Sequence, residues 1–191
     1  MKSASILTLA FLLAACGSNN DAAPPTETAS VDQTAASDMT EPADTPATPV
    51  DAAGYIAKAD AGDMWEIESS KALLAKSTNA DVKAFAQMMI DHHGKSTAKV
   101  KAAAAEAKID VAAPTLDVDQ QKMLDDIKKA DATGIDAVYL AHQKTAHDAA
   151  LALHKGYAAS GDTPALKKVA GEIVPVVEEH RAALAKLKPA A

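Results

Sequence analysis

The fold class is decided by residues 79–100, which have the sequence NADVKAFAQMMIDHHGKSTAKV. One series in this stretch recurs every three or four residues and consists of Val82, Phe85, Met89, His92, Ser96 and Val100. That spacing is typical of a single face of an α-helix. Asn79 or Asp81 can cap the first turn, because a short side-chain oxygen there accepts from backbone N–H groups that the helix leaves free. The stretch therefore predicts a long amphipathic helix.

The same periodicity predicts four more helices on either side of this one. A first helix from Ala52 has Ile56, Ala59, Asp63, Glu66, Ser70 and Leu73 on one stripe, and a short helix covers Thr115–Lys129. A fourth helix has Leu140, Gln143, His147, Leu151 and His154 on one stripe and stops near Gly161. A fifth starts at Thr163–Pro164, is kinked by Pro175 and carries His180. Short breaks join them, and no run of alternating β-branched residues occurs. We therefore expect an all-α fold, an up-down four-helix bundle with one extra short helix.

The amino-terminal residues 1–15 have the features of a signal peptide. Lys2 precedes an apolar run, Ile6–Leu13, that is too short to span a bilayer as a helix. The run ends in Leu13-Ala14-Ala15-Cys16, which resembles the cleavage site of bacterial lipoproteins. That resemblance implies cleavage before Cys16 and acylation of its sulfur and its new amino group. Two or more acyl chains would anchor the protein firmly in a membrane.

Residues 16–51 differ from the rest of the chain in composition. They are rich in Ala, Thr and Pro, and residues 17–51 carry seven acidic and no basic side chains. Such a segment buries too little apolar surface to offset its conformational entropy, so we expect a disordered tether. The remaining domain, residues 52–191, is almost neutral although the whole chain has a formal charge of -7. The charge balance of this domain predicts no basic face for phosphates and therefore disfavours nucleic acid as a partner.

Polar residues interrupt the apolar stripes of all four long helices. Glu66, His92, His147 and His180 each lie in register with the stripe of a different helix. Burying such groups without a partner costs several kcal/mol, so we expect them to meet in the core. One Glu and three His are a suitable ligand set for a divalent Fe, Mn, Zn or Cu ion. Asp91 competes with its neighbour His92 for the inward position, and Glu68, His93 and His154 are secondary candidates.

Two alternatives to this site stay open at the level of the sequence. The His and Glu side chains can form a metal-free hydrogen-bonded network, or the pair Met88-Met89 can bind copper together with His92-His93. His142 is expected at the surface. The paired Glu-x-x-His motifs of di-iron bundle enzymes are absent from the sequence, as is His-Glu-x-x-His, and these absences disfavour an enzyme.

Several motifs resemble the bacterial envelope domain of unknown function 4142. They are the runs Trp65–Leu73 and Val82–His92, the set Asp136, Tyr139, Leu140, Gln143 and His147, and Val174-Pro175 followed by His180. The resemblance covers about residues 52–188. It implies a ferritin-like bundle, often found on secreted or lipidated proteins, with no established activity. By resemblance, the polar inner positions would be Glu66, Asp91, His92, His147 and His180.

The sequence as a whole predicts a lipoprotein of the cell envelope whose helical domain faces the periplasm and binds a divalent metal ion. Gly17 after Cys16 favours the outer membrane, by resemblance to lipoprotein sorting signals. A competing hypothesis is a structural or partner-binding module, and a third is a metal-dependent oxidase or peroxide-detoxifying enzyme. The sequence specifies neither a protein partner nor an oligomeric state.

Overall fold

The computed structural model describes residues 51–189. Its helices are α1 (Ala52–Leu74), α2 (Ala80–Glu106), α3 (Val118–Lys129), α4 (Ile135–Ser160) and α5 (Pro164–Leu184). The described residues contain no strand. The predicted all-α fold with four long helices and one short helix is therefore confirmed. The predicted signal peptide, Cys16 and the tether up to residue 50 lie outside the described residues.

Local sequence signals set the ends of these helices. The Asn79 side chain accepts hydrogen bonds from the backbone of α2, as predicted. Asp117 caps α3 in a capping box with Gln120, so α3 begins at Val118 rather than at Thr115. Thr163 occupies the N-cap position of α5, so the predicted start of this helix is confirmed, although the Thr163 side chain makes no capping hydrogen bond. Pro164, at the first position of α5, still favours a helix start there, since it has no N–H to satisfy and its φ is already helical.

The four long helices form an up-down ring. α1 packs against α2 and α4, and α5 closes the ring by packing against the same two helices. The short helix α3 lies outside this ring against α1 and α4. Within residues 51–189, no helix has the length and apolar content needed to cross a membrane.

The bundle interior consists of two apolar clusters. One contains Tyr55, Val100, Tyr157 and Leu166, and the other contains Trp65, Phe85, Met89, Ile127 and Tyr139. On each long helix, buried polar residues lie where the positions of one cluster give way to those of the other. They are Asp63 and Glu66 on α1, His93 on α2, Gln143 and His147 on α4, and His180 on α5. We call these six residues the polar layer.

The polar layer lowers the apolar area that the core can bury. Each of these groups also loses its hydration on folding, and this is unfavourable unless partners replace the water. A bundle held together by packing alone would fill these positions with Leu or Ile. The layer is therefore the part of the interior where a function should be sought.

Candidate metal centre

Three histidines from three helices meet in the polar layer. His93, His147 and His180 have exposed fractions of 6%, 1% and 2%, and one ring nitrogen from each lies within 4.8 Å of the other two. Imidazoles at this depth are seldom found side by side without a common partner, because burial disfavours their charged forms and each ring has two polar atoms to satisfy. The geometry is that of a site which could hold a metal ion.

His93 has one ring nitrogen occupied and one free. Its Nδ1 donates to Asp63 Oδ1 at 2.7 Å, and the other carboxylate oxygen of Asp63 accepts from the Thr97 hydroxyl at 2.9 Å. The Nε2 atom is buried and has no hydrogen-bond partner. A carboxylate on one nitrogen and a free second nitrogen is the usual arrangement for a metal-binding histidine, because the carboxylate fixes the ring and raises its basicity.

A backbone carbonyl orients His147, as the Asp63 carboxylate orients His93. Its Nδ1 donates to the carbonyl oxygen of Gln143 at 2.9 Å and lies 3.3 Å from Glu66 Oε1. Since a carbonyl can only accept, the proton is on Nδ1 and Nε2 carries the lone pair. Glu66 is itself held by Gln143, whose Nε2 donates to Glu66 Oε2 at 2.6 Å. Glu66 thus contacts His147 at Nδ1 and leaves Nε2 free of this contact.

His180 joins His147 to His92. Its Nδ1 lies 3.3 Å from His147 Nε2, and its Nε2 lies 2.9 Å from His92 Nδ1. Because His147 Nε2 carries a lone pair, His180 Nδ1 donates to it and His180 Nε2 accepts from His92. Burial, together with the charges of the neighbouring histidines, lowers the pKa of His180 to about 2. His180 is therefore neutral at neutral pH. A metal bound at Nδ1 would require the other tautomer, in which the proton is on Nε2 and is donated to His92 Nδ1.

The spacing of these nitrogens suits a tetrahedral ion. Zinc–nitrogen bonds of about 2.0–2.1 Å at tetrahedral angles place two ligand nitrogens about 3.4 Å apart. His147 Nε2 and His180 Nδ1 are 3.3 Å apart. The nitrogen of His93 lies within 4.8 Å of both, so a small inward shift of this side chain would complete a three-histidine site.

The electrostatics of His93 differ from those of His180. Burial alone would lower the pKa of His93, but the hydrogen bond with Asp63 and the charges of Glu66 and Asp63 outweigh burial and raise it. The carboxylates of Asp63 and Glu66 thus favour positive charge at this position. A metal cation bound to His93 Nε2 would be stabilised by the same two carboxylates.

The structure brings together part of the predicted ligand set. Glu66, His147 and His180 lie in the polar layer, and the half-buried His92 touches it through His180. Asp91 does not reach the layer, because its side chain is exposed and accepts from Gln87 at 3.1 Å. The secondary candidates also separate. His93 lies at the centre, Glu68 pairs with Lys71 on the surface, and His154 lies farther along α4 beside Tyr55.

Two features of the centre differ from the sequence-based expectation. The inward position on α2 belongs to His93 rather than to His92, and Asp63 was not proposed as a site residue. With about 3.6 residues per turn, the series that starts at Val82 and passes through Met89 reaches 92.8, nearer to His93 than to His92. Asp63 lay on the predicted stripe of α1, and its carboxylate among apolar positions was the signal for a buried partner.

His154 and Tyr55 form a second buried polar pair, away from the three histidines. The Tyr55 hydroxyl lies 3.0 Å from His154 Nδ1. Burial, more than the opposing charge of Asp63, lowers the pKa of His154 from 6.5 to about 4. Between these two pH values the unfolded chain binds a proton that the folded chain does not. Stability is therefore lost as the pH falls through this window, by about 3 kcal/mol at pH 4.

We expect His154→Gln to reduce this acid sensitivity. Glutamine can still accept from the Tyr55 hydroxyl but does not titrate. Between pH 7 and pH 4 the wild type should lose about 3 kcal/mol more unfolding free energy than the variant, as measured by urea denaturation. Parallel pH profiles for the two proteins would show that His154 is not kept neutral by the fold.

The fold and the site define a class, a small helical-bundle domain with a buried three-histidine cluster that could hold a metal. The chain belongs to the family described as Domain of unknown function (DUF4142), whose model matches residues 22–187. The match confirms the resemblance seen in the sequence, and it begins within the predicted tether.

Two solved structures share this fold. One is a DUF305 protein of Streptomyces coelicolor that is described as secreted, with a TM-score of 0.59 and 14% identity over 71% of this chain and 90% of that one. The other is a DUF305 fragment from Deinococcus radiodurans, with the same TM-score and identity over 75% of this chain and 100% of that one. At this identity the likeness concerns the fold alone. No curated protein matches the chain.

Proposed function

We propose that this domain binds one divalent transition-metal ion in the bundle core, with His93, His147 and His180 as the ligands. The observation that carries the proposal is the meeting of three buried ring nitrogens within 4.8 Å of one another. Imidazole suits Zn, Cu, Fe and Ni ions, and a site of three protein ligands leaves one position for water or another small ligand. His93 and His180 also line a cavity, so that position would be accessible.

The surroundings of the three ligands support the proposal. Asp63 holds His93, the Gln143 carbonyl and Glu66 hold His147, and His92 holds His180. In each case the contact uses the nitrogen that a metal would not need. Supports of this kind, here from side chains of α1 and α2 and from the backbone of α4, fix ring orientation in metal sites. Glu66 and Asp63 also supply the negative charge that compensates a buried cation.

A metal-free network is the second candidate, and one observation favours it. His92, His180 and His147 already form a continuous chain of contacts at 2.9 and 3.3 Å. Under this alternative the polar layer would fix the register of the four helices or support a partner-binding surface, and the protein would gain no stability from a metal.

Metal titration separates the two candidates. Zn²⁺, Co²⁺ and Cu²⁺ would each be added to the chelator-treated chain from Gly17 onward, followed by thermal melting and calorimetry. The metal centre predicts one equivalent bound and a raised melting temperature for at least one ion. A visible Co²⁺ spectrum would further report a tetrahedral nitrogen-rich site. Unchanged melting with all three ions would support the metal-free network.

We also propose that the chain is a lipoprotein held at the cell envelope through Cys16, facing the periplasm. The support is the short apolar run that ends in Leu13-Ala14-Ala15-Cys16, the tether-like composition of residues 17–51, and the family resemblance to secreted or lipidated proteins. Gly17 is the reason to propose the outer membrane.

Palmitate labelling tests this anchor. Cells expressing the full chain should incorporate labelled palmitate into it and retain it in the membrane fraction, because two or more acyl chains bind a bilayer stably. The Cys16→Ala variant should incorporate no label. Density separation of inner and outer membranes then checks the proposed location. Equal labelling of both proteins, or of neither, would contradict lipidation at Cys16.

A further inference from the structure

A cavity of about 870 Å³ extends from the three-histidine cluster between α1 and α4 toward the amino-terminal end of α1. It is open to solvent, because Ala57, Ala149 and Gly156 in its wall are exposed. Binding sites for small organic molecules commonly have volumes of about 300–1,000 Å³. Small side chains from the two helices leave the space open, namely Ala57, Ala61, Gly62, Ala149, Ala150 and Gly156. His93 and His180 form the wall at one end, and His154 also lines the cavity.

Two glycines of this wall are not explained by packing. A Cβ atom added at Gly62 or at Gly156 would meet nothing within 4 Å. A glycine inside a helix costs roughly 0.5–1 kcal/mol relative to alanine. No element packs closely at these two positions, so a larger side chain at either one would project into the cavity.

His154 presents a polar atom to this apolar space. The residue is 4% exposed, and its Nδ1 contacts the Tyr55 hydroxyl. No other hydrogen bond to the Tyr55 hydroxyl or to His154 Nε2 is formed within residues 51–189. If Nδ1 donated to Tyr55, the buried tyrosine O–H would have no acceptor. Tyr55 therefore donates to Nδ1, and the proton of His154 is on Nε2, which is left for a ligand.

We propose that this cavity binds a small organic molecule with an apolar body and one hydrogen-bond acceptor oxygen, which accepts from His154 Nε2–H. The apolar body would lie along the Ala and Gly wall, and its other end would lie beside the three-histidine cluster. His154 Nε2–H is the donor that we assign to the oxygen of the ligand, and the largely apolar surface of the Ala and Gly wall favours an apolar body, because such surface gains free energy when it leaves water. Binding does not depend on the metal, so the inference stands apart from the proposed metal function.

A matched pair of probes tests the acceptor requirement. 2-Acetylnaphthalene has a carbonyl oxygen, and 2-ethylnaphthalene has a similar shape without one. Each would be titrated into the chelator-treated chain from Gly17 onward by fluorescence and calorimetry. We expect both to bind, with the acetyl probe about tenfold tighter, the fold-change that one buried hydrogen bond gives. His154→Phe should remove this preference and keep the ethyl probe, while His154→Gln, which retains an N–H donor, should restore part of it.

A second pair of variants tests the location. Gly62→Leu would fill the cavity without a clash, since the added Cβ has free space, and should weaken both probes at least tenfold. Gly94→Leu is the matched control, because Gly94 also lies inside a helix with free space at its Cβ but does not line the cavity. It should bind both probes as the wild type does.

Three results would overturn the proposal. They are failure of the wild type to bind either probe, unchanged binding by Gly62→Leu, and an acetyl preference that survives His154→Phe. Circular dichroism of each variant would verify folding, and the conservative His154→Gln provides the comparison if His154→Phe unfolds. Because no metal is present in these titrations, their failure would leave the result of the metal titration unchanged.

Discussion

Replacing His180 with alanine should abolish the stabilisation that a divalent transition metal gives to the folded chain. A ligand at 1,000 times its dissociation constant stabilises the folded state by about 4 kcal/mol. Loss of one of three protein ligands leaves a two-nitrogen site, in which the metal-dependent gain should fall close to zero. His93→Ala and His147→Ala should behave in the same way, because the three nitrogens form one site.

The comparison must be made with and without metal for each variant. His180 also connects His92 to His147, so His180→Ala should lower stability even in the absence of metal. The difference between the two melting curves isolates the metal contribution. His142→Ala is the control. Its ring lies outside the polar layer, 3.6 Å from Asp126, and the variant should keep the full metal-dependent gain. Equal effects of His142→Ala and His180→Ala would contradict the proposed site.

Asp63→Ala should be the most destabilising substitution among the carboxylates of α1. It removes the partner of His93 and the acceptor of the Thr97 hydroxyl, both at buried or half-buried positions. A buried donor left without its acceptor costs about 1–3 kcal/mol, and more where it is charged, and two donors lose an acceptor here. We therefore expect a loss of about 3 kcal/mol of unfolding free energy in urea. Metal affinity should also fall by roughly 10–100-fold, since the carboxylate orients the His93 ring.

Glu68→Ala is the matched control for Asp63→Ala on the same helix. Glu68 pairs with Lys71 at the surface, where ion pairs contribute little. Its removal should change stability by no more than about 0.5 kcal/mol and should leave metal affinity unchanged. Asp63→Asn adds a graded test, because it keeps an oxygen that can accept from His93 but lacks the charge. If Asp63→Ala cost no more than Glu68→Ala, the His93–Asp63 pair would have no structural role.

The fold could be predicted from the sequence because its signals are local. Three- and four-residue spacing, the Asn79 cap, the proline at position 164 and the glycine at position 161 each act within one or two turns of a helix. The predicted start of α3 at Thr115 is wrong, because the capping box formed by Asp117 and Gln120 starts the helix at Val118. Correct local signals are sufficient for an all-α bundle, whose contacts are formed by faces already encoded in each helix.

The site could be predicted only in outline. His147 and His180 fall clearly on their stripes, and the structure places both in the polar layer. His92 and His93 are adjacent, and a rotation of a few tens of degrees decides which one points inward. That rotation depends on how α2 packs against α1, because Asp63 on α1 accepts a hydrogen bond from His93. Periodicity within one helix does not show whether His92 or His93 points inward. The contact between His93 and Asp63 on a neighbouring helix decides it.

The cavity could not be predicted from the sequence in the same way. Alanine and glycine stripes are typical of helices that approach each other closely. The structure instead has an open space of about 870 Å³ between α1 and α4. The pair formed by Tyr55 and His154 at one end, and Gln143 with Glu66 farther along, hold the two helices together on either side of it.

The most direct test of the account is elemental analysis of the untagged chain purified from a periplasmic or membrane preparation, paired with melting curves before and after chelation. The account predicts close to one equivalent of Fe, Mn, Zn or Cu per chain and a lower melting temperature once the metal is removed. A metal-free protein whose melting temperature does not respond to chelator or to added metal would contradict the central claim, and the three histidines would then be a structural network.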